Sequence, residues 1–200
     1  MDLADDPEVH IASADSVRMD DIQTVFGTTG YACRCQCQRI RQGDHDWYPK
    51  SVGERTMDLH EQLQTEQGGG GIVAYLGDEP IGWCAVDRRP GYRRYGKRSG
   101  IPWTGRTENV DDESVWAAVC FVVRKDHRGR GLTYALVRGA VEQARSFGAD
   151  AIEGYPMIVA PGTNVTWDEF NVGPVGAFRA AGFAEVSHPT KRRLVMRLEL

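Results

Sequence analysis

The sequence lacks any run of about eighteen apolar residues, the length that a membrane-spanning helix requires. It also lacks a charged and then apolar leader before a cleavage site, so we predict a cytoplasmic protein with no membrane role. Basic residues are outnumbered, with 24 Lys and Arg against 28 Asp and Glu, which argues against general nucleic-acid binding. The 200 residues fit one domain with a substantial core.

Cysteine is scarce and odd in number, since five cysteines do not suggest a secreted disulfide framework. The Cys-x-x-Cys pair of a zinc knuckle is also missing. Cys33, Cys35 and Cys37 are spaced by two, which would place the three thiols on one face of a strand. Metal binding and redox chemistry are alternatives there, but we favour a structural or pocket-lining role and expect no metal. Cys84 and Cys120 lie in apolar strand patterns and are predicted to be core residues.

The most informative stretch runs from residue 114 to residue 148. An apolar run over residues 115–123 predicts a buried strand, and apolar residues at intervals of three and four from Leu132 predict a helix with one buried face. Between them lies a basic turn containing Gly129 and Gly131. The first N–H groups of a helix have no internal partner and bind phosphate oxygens readily. The alternative is a solvated basic loop that only tightens the turn.

Two common phosphate-binding motifs are absent from this turn. A P-loop requires Gly-Lys followed by Ser or Thr, but Leu132 and Thr133 follow Gly131. A dinucleotide-binding turn requires a third glycine three residues after Gly131, and that position is Tyr134. Neither motif therefore explains the glycines.

The turn instead resembles the pyrophosphate motif of the GNAT superfamily of acyl-CoA-dependent N-acetyltransferases, which reads Arg/Gln-x-x-Gly-x-Gly/Ala. Residues 128–133 match it except for Thr133 at the last position. A second family motif has Asn, usually Tyr seven residues later, and then Gly-Phe. Its four positions are held by Asn171, Phe178, Gly182 and Phe183. The resemblance covers roughly residues 70–200 well and the first seventy loosely.

The resemblance implies an α+β fold, with a central twisted mixed sheet flanked by helices in a single domain over residues 1–200. The acceptor-side part would span about 10–70 and the CoA-binding core about 71–200. We expect a three-stranded antiparallel meander, a parallel pair of strands around the cofactor and a terminal hairpin. Composition and periodicity alone predict only α/β or α+β.

The implied activity is acetyl transfer from acetyl-CoA, as co-substrate, to a primary amine by direct attack in a ternary complex. The acceptor would be a small molecule or a protein lysine or N-terminus. A non-catalytic CoA-binding sensor or regulatory module is the alternative, because Phe178 replaces the tyrosine that usually protonates the leaving thiolate. The oligomeric state is left open, with a homodimer as one option.

The resemblance also implies which residues form the site. For the catalytic base we favour Glu153, with Glu113 and His45 behind it, and Tyr155 or a bound water would protonate the thiolate unless the thiolate leaves unassisted. Main-chain N–H groups near the end of the central strand would align the pantetheine, and the turn would hold the pyrophosphate. The predicted cofactor-binding residues are Phe121, Val122, Val123, Arg128, Gly129, Arg130, Gly131, Leu132, Thr133, Asn171 and Phe178.

Elsewhere the pattern gives coarser expectations. Residues 1–8 are predicted to be frayed, residues 31–53 show no clean period, and 159–168 is predicted to be an irregular connection holding Trp167. Residues 88–109, with six arginines, a lysine and two tyrosines, form a long basic loop that covers the acceptor site, covers the CoA 3′-phosphate or is a solvated insertion. Strands are predicted at 9–12, 72–76, 80–86, 151–155, 183–186 and 194–198, and further helices at 17–26, 54–67 and 171–181.

Overall fold

A computed structural model describes residues 2–65, 69–96, 101–159 and 171–200. Within these residues one sheet contains seven strands, in the order β1-β2-β3-β4-β5-β7-β6. All neighbouring strands are antiparallel except β4 and β5, which run parallel. The strands are β1 (Val9–Ser13), β2 (Ile72–Leu76), β3 (Glu79–Arg88), β4 (Val115–Val123), β5 (Ala151–Gly154), β6 (Ala184–Thr190) and β7 (Arg193–Glu199). The predicted mixed-sheet, single-domain fold is confirmed.

Helices cover both faces of this sheet. Those in the described ranges are α1 (Met19–Phe26), α2 (Tyr31–Cys35), α3 (Gln38–Gln42), α4 (Asp44–Trp47), α5 (Val52–Thr65), α6 (Leu132–Ser146) and α7 (Val175–Ala180). On one face, α6 and α7 share a core with Ile152 and Trp116 of the sheet. On the other face, α1, α3 and α5 pack around Trp83 and Val119. None of these helices is long and apolar enough to cross a membrane.

The central strand and the helix after it begin where the sequence predicts. All of β4 is buried except its last residue, Val123, as expected for a strand covered on both faces. Helix α6 buries Leu132, Leu136, Ala140 and Ala144, which lie one turn apart on a single stripe. These two elements therefore fix the position of the glycine turn between them.

The cysteine-rich segment differs from its expected form. Cys33 and Cys35 lie in α2, and Cys37 lies between α2 and α3 in a left-handed conformation with φ of 52°. The expectation that three thiols share one face of a strand was wrong, because two short helices and a left-handed turn replace the strand. Cys37 instead points into the core, where its Sγ lies 3.2 Å from Sγ of Cys120. Burial of Cys84 and Cys120 confirms them as core residues.

The described part of the N-terminal segment is packed rather than frayed. The side chain of Leu3 is fully buried in the core beside α6, and its N–H donates to the carbonyl of Arg130 at 2.6 Å. Arg138 also pairs with Asp5 at 3.0 Å. The prediction for residues 2–5 missed this because a single buried leucine in an acidic stretch gives no periodic signal.

Some elements begin or end at other residues than the sequence predicts. The last helix begins at Val175 rather than at residue 171, because Pro174 occupies the position before its first turn. The basic loop 88–109 contains short 3-10 turns at Arg89–Gly91, Arg93–Tyr95 and Ile101–Trp103. Residues 66–68, 97–100 and 160–170, including the predicted connection with Trp167, lie outside the described residues.

Candidate active site

The parallel strands β4 and β5 separate halfway along β4. β5 pairs only with the segment from Val115 to Ala118. Just beyond it a register shift leaves an extra β4 residue, Val119, between the partners of Ala85 and Val86. A bulge of this kind bends its strand and often lies next to active sites. The β4 edge after Ala118 therefore faces a cleft instead of another strand of the described sheet.

The glycine turn closes one end of this cleft. Gly129 and Gly131 have φ of 71° and 79°, a conformation that residues with a Cβ rarely adopt. A Cβ at Gly129 would meet no atom within 4 Å, so the backbone there is open to a ligand. Helix α6 starts directly afterwards, and its N-cap residue, Gly131, makes no side-chain cap bond. The N–H of Tyr134 donates to the carbonyl of Gly131 at 2.8 Å, so the N–H groups that precede it are the ones placed to bind an anion.

The cleft has a volume of about 360 Å³. Most of the predicted cofactor-binding residues line it together, namely Phe121, Val123, Arg128, Gly129, Gly131, Leu132 and Thr133. Arg130 is not among its lining residues, and its guanidinium lies 3.4 Å from the His127 ring nitrogen. Val122 faces the opposite core, with Trp83. The uncapped helix start, the open glycine backbone and the Arg128 cation together fit a diphosphate group.

Successive main-chain N–H groups of β4 point to opposite sides of the strand, so they cannot all face the cleft. The N–H of Phe121 donates to the carbonyl of Asn171 at 2.7 Å, so the fold itself uses an amide that we had expected to align pantetheine. The register directs the N–H of Val122 towards β3 and that of Val123 towards the cleft. Of the three amides predicted to contact the cofactor, that of Val123 has the suitable direction.

Phe178 lies in the core beneath the cleft. Its side chain is fully buried and packs edge-on against Phe121 and Phe183, with ring centroids 5.9 Å and 5.1 Å apart. A Cβ on Gly154 would lie 2.0 Å from this ring, so the ring fills the space above that glycine. Phe178 supports the floor of the cleft and carries no group for proton transfer.

A second hollow lies against the other face of β4 and has a volume of about 200 Å³. We call it the acceptor pocket, for the role that we propose for it. Its wall includes Cys120 and Val172, whose sequence neighbours Phe121 and Gly173 line the cleft. The pocket and the cleft therefore lie on opposite sides of the same stretch of β4. The principal polar side chains of the pocket are Tyr31, Arg39, Arg94, Tyr95, Tyr155 and Arg193.

Part of the predicted basic loop forms this pocket. Arg94 and Tyr95 line it. Arg89 and Arg106, from the same loop, are buried beneath it and enclose the Trp103 ring at 4.7 Å and 4.8 Å. These described residues of the loop are part of the pocket wall and its support; that the loop covers an acceptor site stays a prediction.

Glu153 is fully buried below the pocket among three guanidinium groups. Its carboxylate lies 2.6 Å from Arg106, 3.0 Å from Arg89 and 3.4 Å from Arg197. The hydroxyl of Tyr155 donates to it at 3.1 Å. With its oxygens already occupied in this way, the carboxylate has the surroundings of a structural counter-ion. The sequence did not indicate this cluster, because its arginines are spread over more than a hundred residues.

The other candidate bases lie away from the acceptor pocket. Glu113 lies in the turn before β4, and the strand residues from Val115 to Val119 separate it from Cys120. It is exposed and lines a separate polar groove that also contains His45. The structure therefore brings neither side chain to the pocket.

Tyr155 lines the pocket wall but is committed to Glu153. Burial, and secondly the charge of Glu153, raise the pKa of this phenol well above its usual value. It retains its proton at neutral pH. A phenol of raised pKa is a poor proton donor to a thiolate, whose conjugate acid has a pKa near 8.5.

One cluster in the described residues has ligand atoms close enough for a metal: Glu79, Asp126 and His127. Both carboxylates are exposed and also pair with Arg124, at 2.7 Å and 2.8 Å. Because these ion pairs account for the cluster, we assign no metal to it.

Residues 37–155, more than half of the chain, match the model of the acetyltransferase (GNAT) family. No curated protein matches the chain at a significant level. Among solved structures, yncA of Salmonella typhimurium with its cofactor acetyl-CoA has a TM-score of 0.53 and 14% identity, covering 96% of this chain and 94% of that one. The GNAT domain of S. lividans PAT has a TM-score of 0.50 and 17% identity, covering 96% and 89%. These similarities concern the fold.

Proposed function

Because the chain belongs to the acetyltransferase (GNAT) family, we propose that it transfers an acetyl group from acetyl-CoA to a primary amine by direct attack in a ternary complex. One observation carries the proposal. The cleft beside β4, with its glycine turn, is lined by Phe121, and the acceptor pocket is lined by the adjacent Cys120. A thioester lying along the cleft would be open to an amine in the pocket. The acetyl-CoA in the yncA structure supports the same co-substrate.

In this proposal the turn from Arg128 to Thr133 holds the diphosphate. The first N–H groups of α6 and the helix dipole favour its negative charge, and the Arg128 guanidinium adds a cation. The N–H of Val123 is directed towards the pantetheine. Acetyl-CoA supplies the activated carbonyl carbon, and the protein orients it.

The proton balance requires no carboxylate base. The attacking amine must be neutral, so its ammonium form first loses a proton to water. The C–N bond then forms, the C–S bond breaks, and CoA leaves as a thiolate. The nitrogen gives up its second proton to that thiolate or to water, which leaves a neutral amide. Because a thiol of pKa about 8.5 is a good leaving group near neutral pH, the phenol that Phe178 lacks is dispensable.

A CoA-binding sensor without turnover is the second candidate. It is favoured by Phe178 in place of tyrosine and by the lack of Asp, Glu and His among the described residues that line the acceptor pocket. Incubation with acetyl-CoA and a panel of amines separates the two functions. Free thiol and a product heavier by one acetyl group support the enzyme, whereas tight acetyl-CoA binding with no thiol release supports the sensor.

Substitution of Gly129 tests the cofactor assignment. Asp and Asn have similar size, and both tolerate positive φ better than other side chains. We expect Gly129→Asp to weaken acetyl-CoA binding at least about tenfold, because it places a negative charge where the diphosphate would lie, a loss of about 1.4 kcal/mol. Isothermal titration calorimetry gives both affinities.

Gly129→Asn is the matched control. It imposes the same backbone strain, and the space around Gly129 is open, so its thermal midpoint is expected to equal that of the Asp variant. Its affinity for acetyl-CoA should exceed that of the Asp variant. Equal affinities for the two variants would place the diphosphate elsewhere and refute the assignment.

A further inference from the structure

The acceptor pocket has an unusual balance of charge. Three of its lining side chains are arginines, Arg39, Arg94 and Arg193, and no acidic residue of the described chain lines it. Three tyrosines, Tyr31, Tyr95 and Tyr155, also line the pocket and contribute hydroxyl groups. A pocket built for a cationic amine would be expected to show the reverse charge.

One carboxylate outside the lining pairs with two of these arginines. Asp44 lies 2.8 Å from both Arg39 and Arg94. Its side chain is half-exposed, so part of its charge is screened by solvent. A single carboxylate thus serves the two guanidinium groups of Arg39 and Arg94.

The buried layer beneath the pocket is balanced in charge. Arg89, Arg106 and Arg197 surround the carboxylate of Glu153, and Arg106 and Arg197 also contact the exposed Glu108 and Glu199. Three arginines thus face three glutamates, and the positive charge of the pocket comes from its own lining. Tyr155 links this layer to the pocket wall through its bond to Glu153.

We propose that the acceptor is a small amine that also carries a carboxylate, as an amino acid does, and that Arg94 and Arg193 bind this carboxylate. The proposal rests on the function proposed above and specifies its acceptor. Guanidinium groups bind carboxylates through paired, charge-assisted hydrogen bonds. The volume of about 200 Å³ suits a molecule of amino-acid size.

The positive charge of these arginines also explains how the pocket could work without a catalytic base. Positive charge nearby disfavours an ammonium ion and lowers its pKa, so more of the bound amine is neutral. The groups that face the pocket and act in this way are Arg39, Arg94 and Arg193. The released proton passes to water, the neutral amine attacks the thioester, and CoA leaves as a thiolate. The second proton of the nitrogen passes to this thiolate or to water.

Matched acceptor pairs test the proposal. Free α-amino acids, their C-terminal carboxamides and spermidine are each incubated with acetyl-CoA and the full chain, and thiol release is measured. We expect kcat/KM for at least one free amino acid to exceed that of its carboxamide by about tenfold or more, with the difference mainly in KM. A preference for carboxamides or spermidine would overturn the proposal and leave the acetyltransferase function intact.

Variants then assign the residues. Arg193→Gln and Arg94→Gln should each lower the ratio of amino acid to carboxamide severalfold without a matching loss for the carboxamide. Arg192→Gln is the matched control, since Arg192 is adjacent in sequence but does not line the pocket. Thermal midpoints show that the variants are folded, and having two independent variants keeps the test open if one is not. An unchanged ratio in both folded variants would refute the assignment.

Binding measurements distinguish failure of the proposed carboxylate site from failure of the proposed acetyltransferase function. Amino acids are titrated into the chain with CoA present, using the carboxamides as controls. Amino-acid binding without any thiol release would support the carboxylate site and contradict the proposed enzyme. If amino acids neither bind nor react while another amine is acetylated, the carboxylate site is wrong and the enzyme stands.

Discussion

The carboxylate of Glu153 illustrates how burial decides what a charged side chain does. From the sequence, a Glu on the strand beside the cofactor strand was the preferred base. Its three arginine partners and zero exposure instead make it the counter-ion that allows Arg89 and Arg106 to be buried. Removing one partner of a buried ion cluster leaves the others uncompensated, which is far more costly than losing an exposed pair.

We therefore predict that Glu153→Gln lowers the free energy of unfolding by about 3–5 kcal/mol. Glu108→Gln is the control: it pairs with Arg106 at 3.1 Å, but its own side chain is half-exposed, and the expected loss is below about 1 kcal/mol. Urea unfolding followed by circular dichroism measures both. A Glu153→Gln variant of unchanged stability that loses kcat would instead restore Glu153 as the base.

The N-terminal segment and the glycine turn form one packed unit. A Cβ at Gly131 would lie 2.1 Å from Oδ1 of Asp2 and 3.2 Å from the Cβ of Ala4, whereas the space at Gly129 is open. Gly131 is thus required twice, for its positive φ and for the close approach of the N-terminal segment. The family motif indicated the glycine, but only the tertiary contact shows the second reason.

Comparing two alanine substitutions separates these reasons. Gly129→Ala should cost about 1–2 kcal/mol for the left-handed backbone alone. Gly131→Ala should cost more, because it also displaces Asp2. Adding Asp2→Ala should recover part of the loss in the Gly131→Ala background and none in the Gly129→Ala background, as measured by a double-mutant cycle in urea. Equal costs for both glycines would show that the segment does not pack on the turn in solution.

Features formed by residues close together in the sequence could be predicted, whereas features formed by distant segments could not. Strand β4, helix α6 and the turn between them follow from apolar periodicity and two glycines within 35 residues. The acceptor pocket does not, because Tyr31, Arg94 and Arg193 meet only after the sheet brings distant segments together. The arginines of residues 88–109 were visible as a basic stretch, yet their division into buried and pocket-lining members required the position of Glu153.

The buried tyrosines make the stability of the whole fold depend on pH. Burial is the largest cause that raises the pKa of Tyr31, Tyr75 and Tyr95 to about 12 in the folded chain, against about 10 when the chain is unfolded. Between these values the unfolded state binds fewer protons than the folded state, so the free energy of unfolding falls as pH rises. The stabilisation is complete below pH 10 and is lost progressively towards pH 12.

Burial also raises the pKa of the Cys35 thiol to about 11 and that of Cys84 well above its usual value, so the free energy of unfolding begins to fall near pH 8.5. We predict that the tyrosines steepen this decrease between pH 10 and pH 11.5, by at most about 1.4 kcal/mol per pH unit for each tyrosine. Tyr95→Phe removes one titrating phenol from the pocket wall and should make this decrease shallower, even if it changes stability at neutral pH. Urea unfolding at a series of pH values measures both slopes. Identical slopes for the native chain and Tyr95→Phe would show that Tyr95 is solvated and that the pocket wall is open where the structure has it closed.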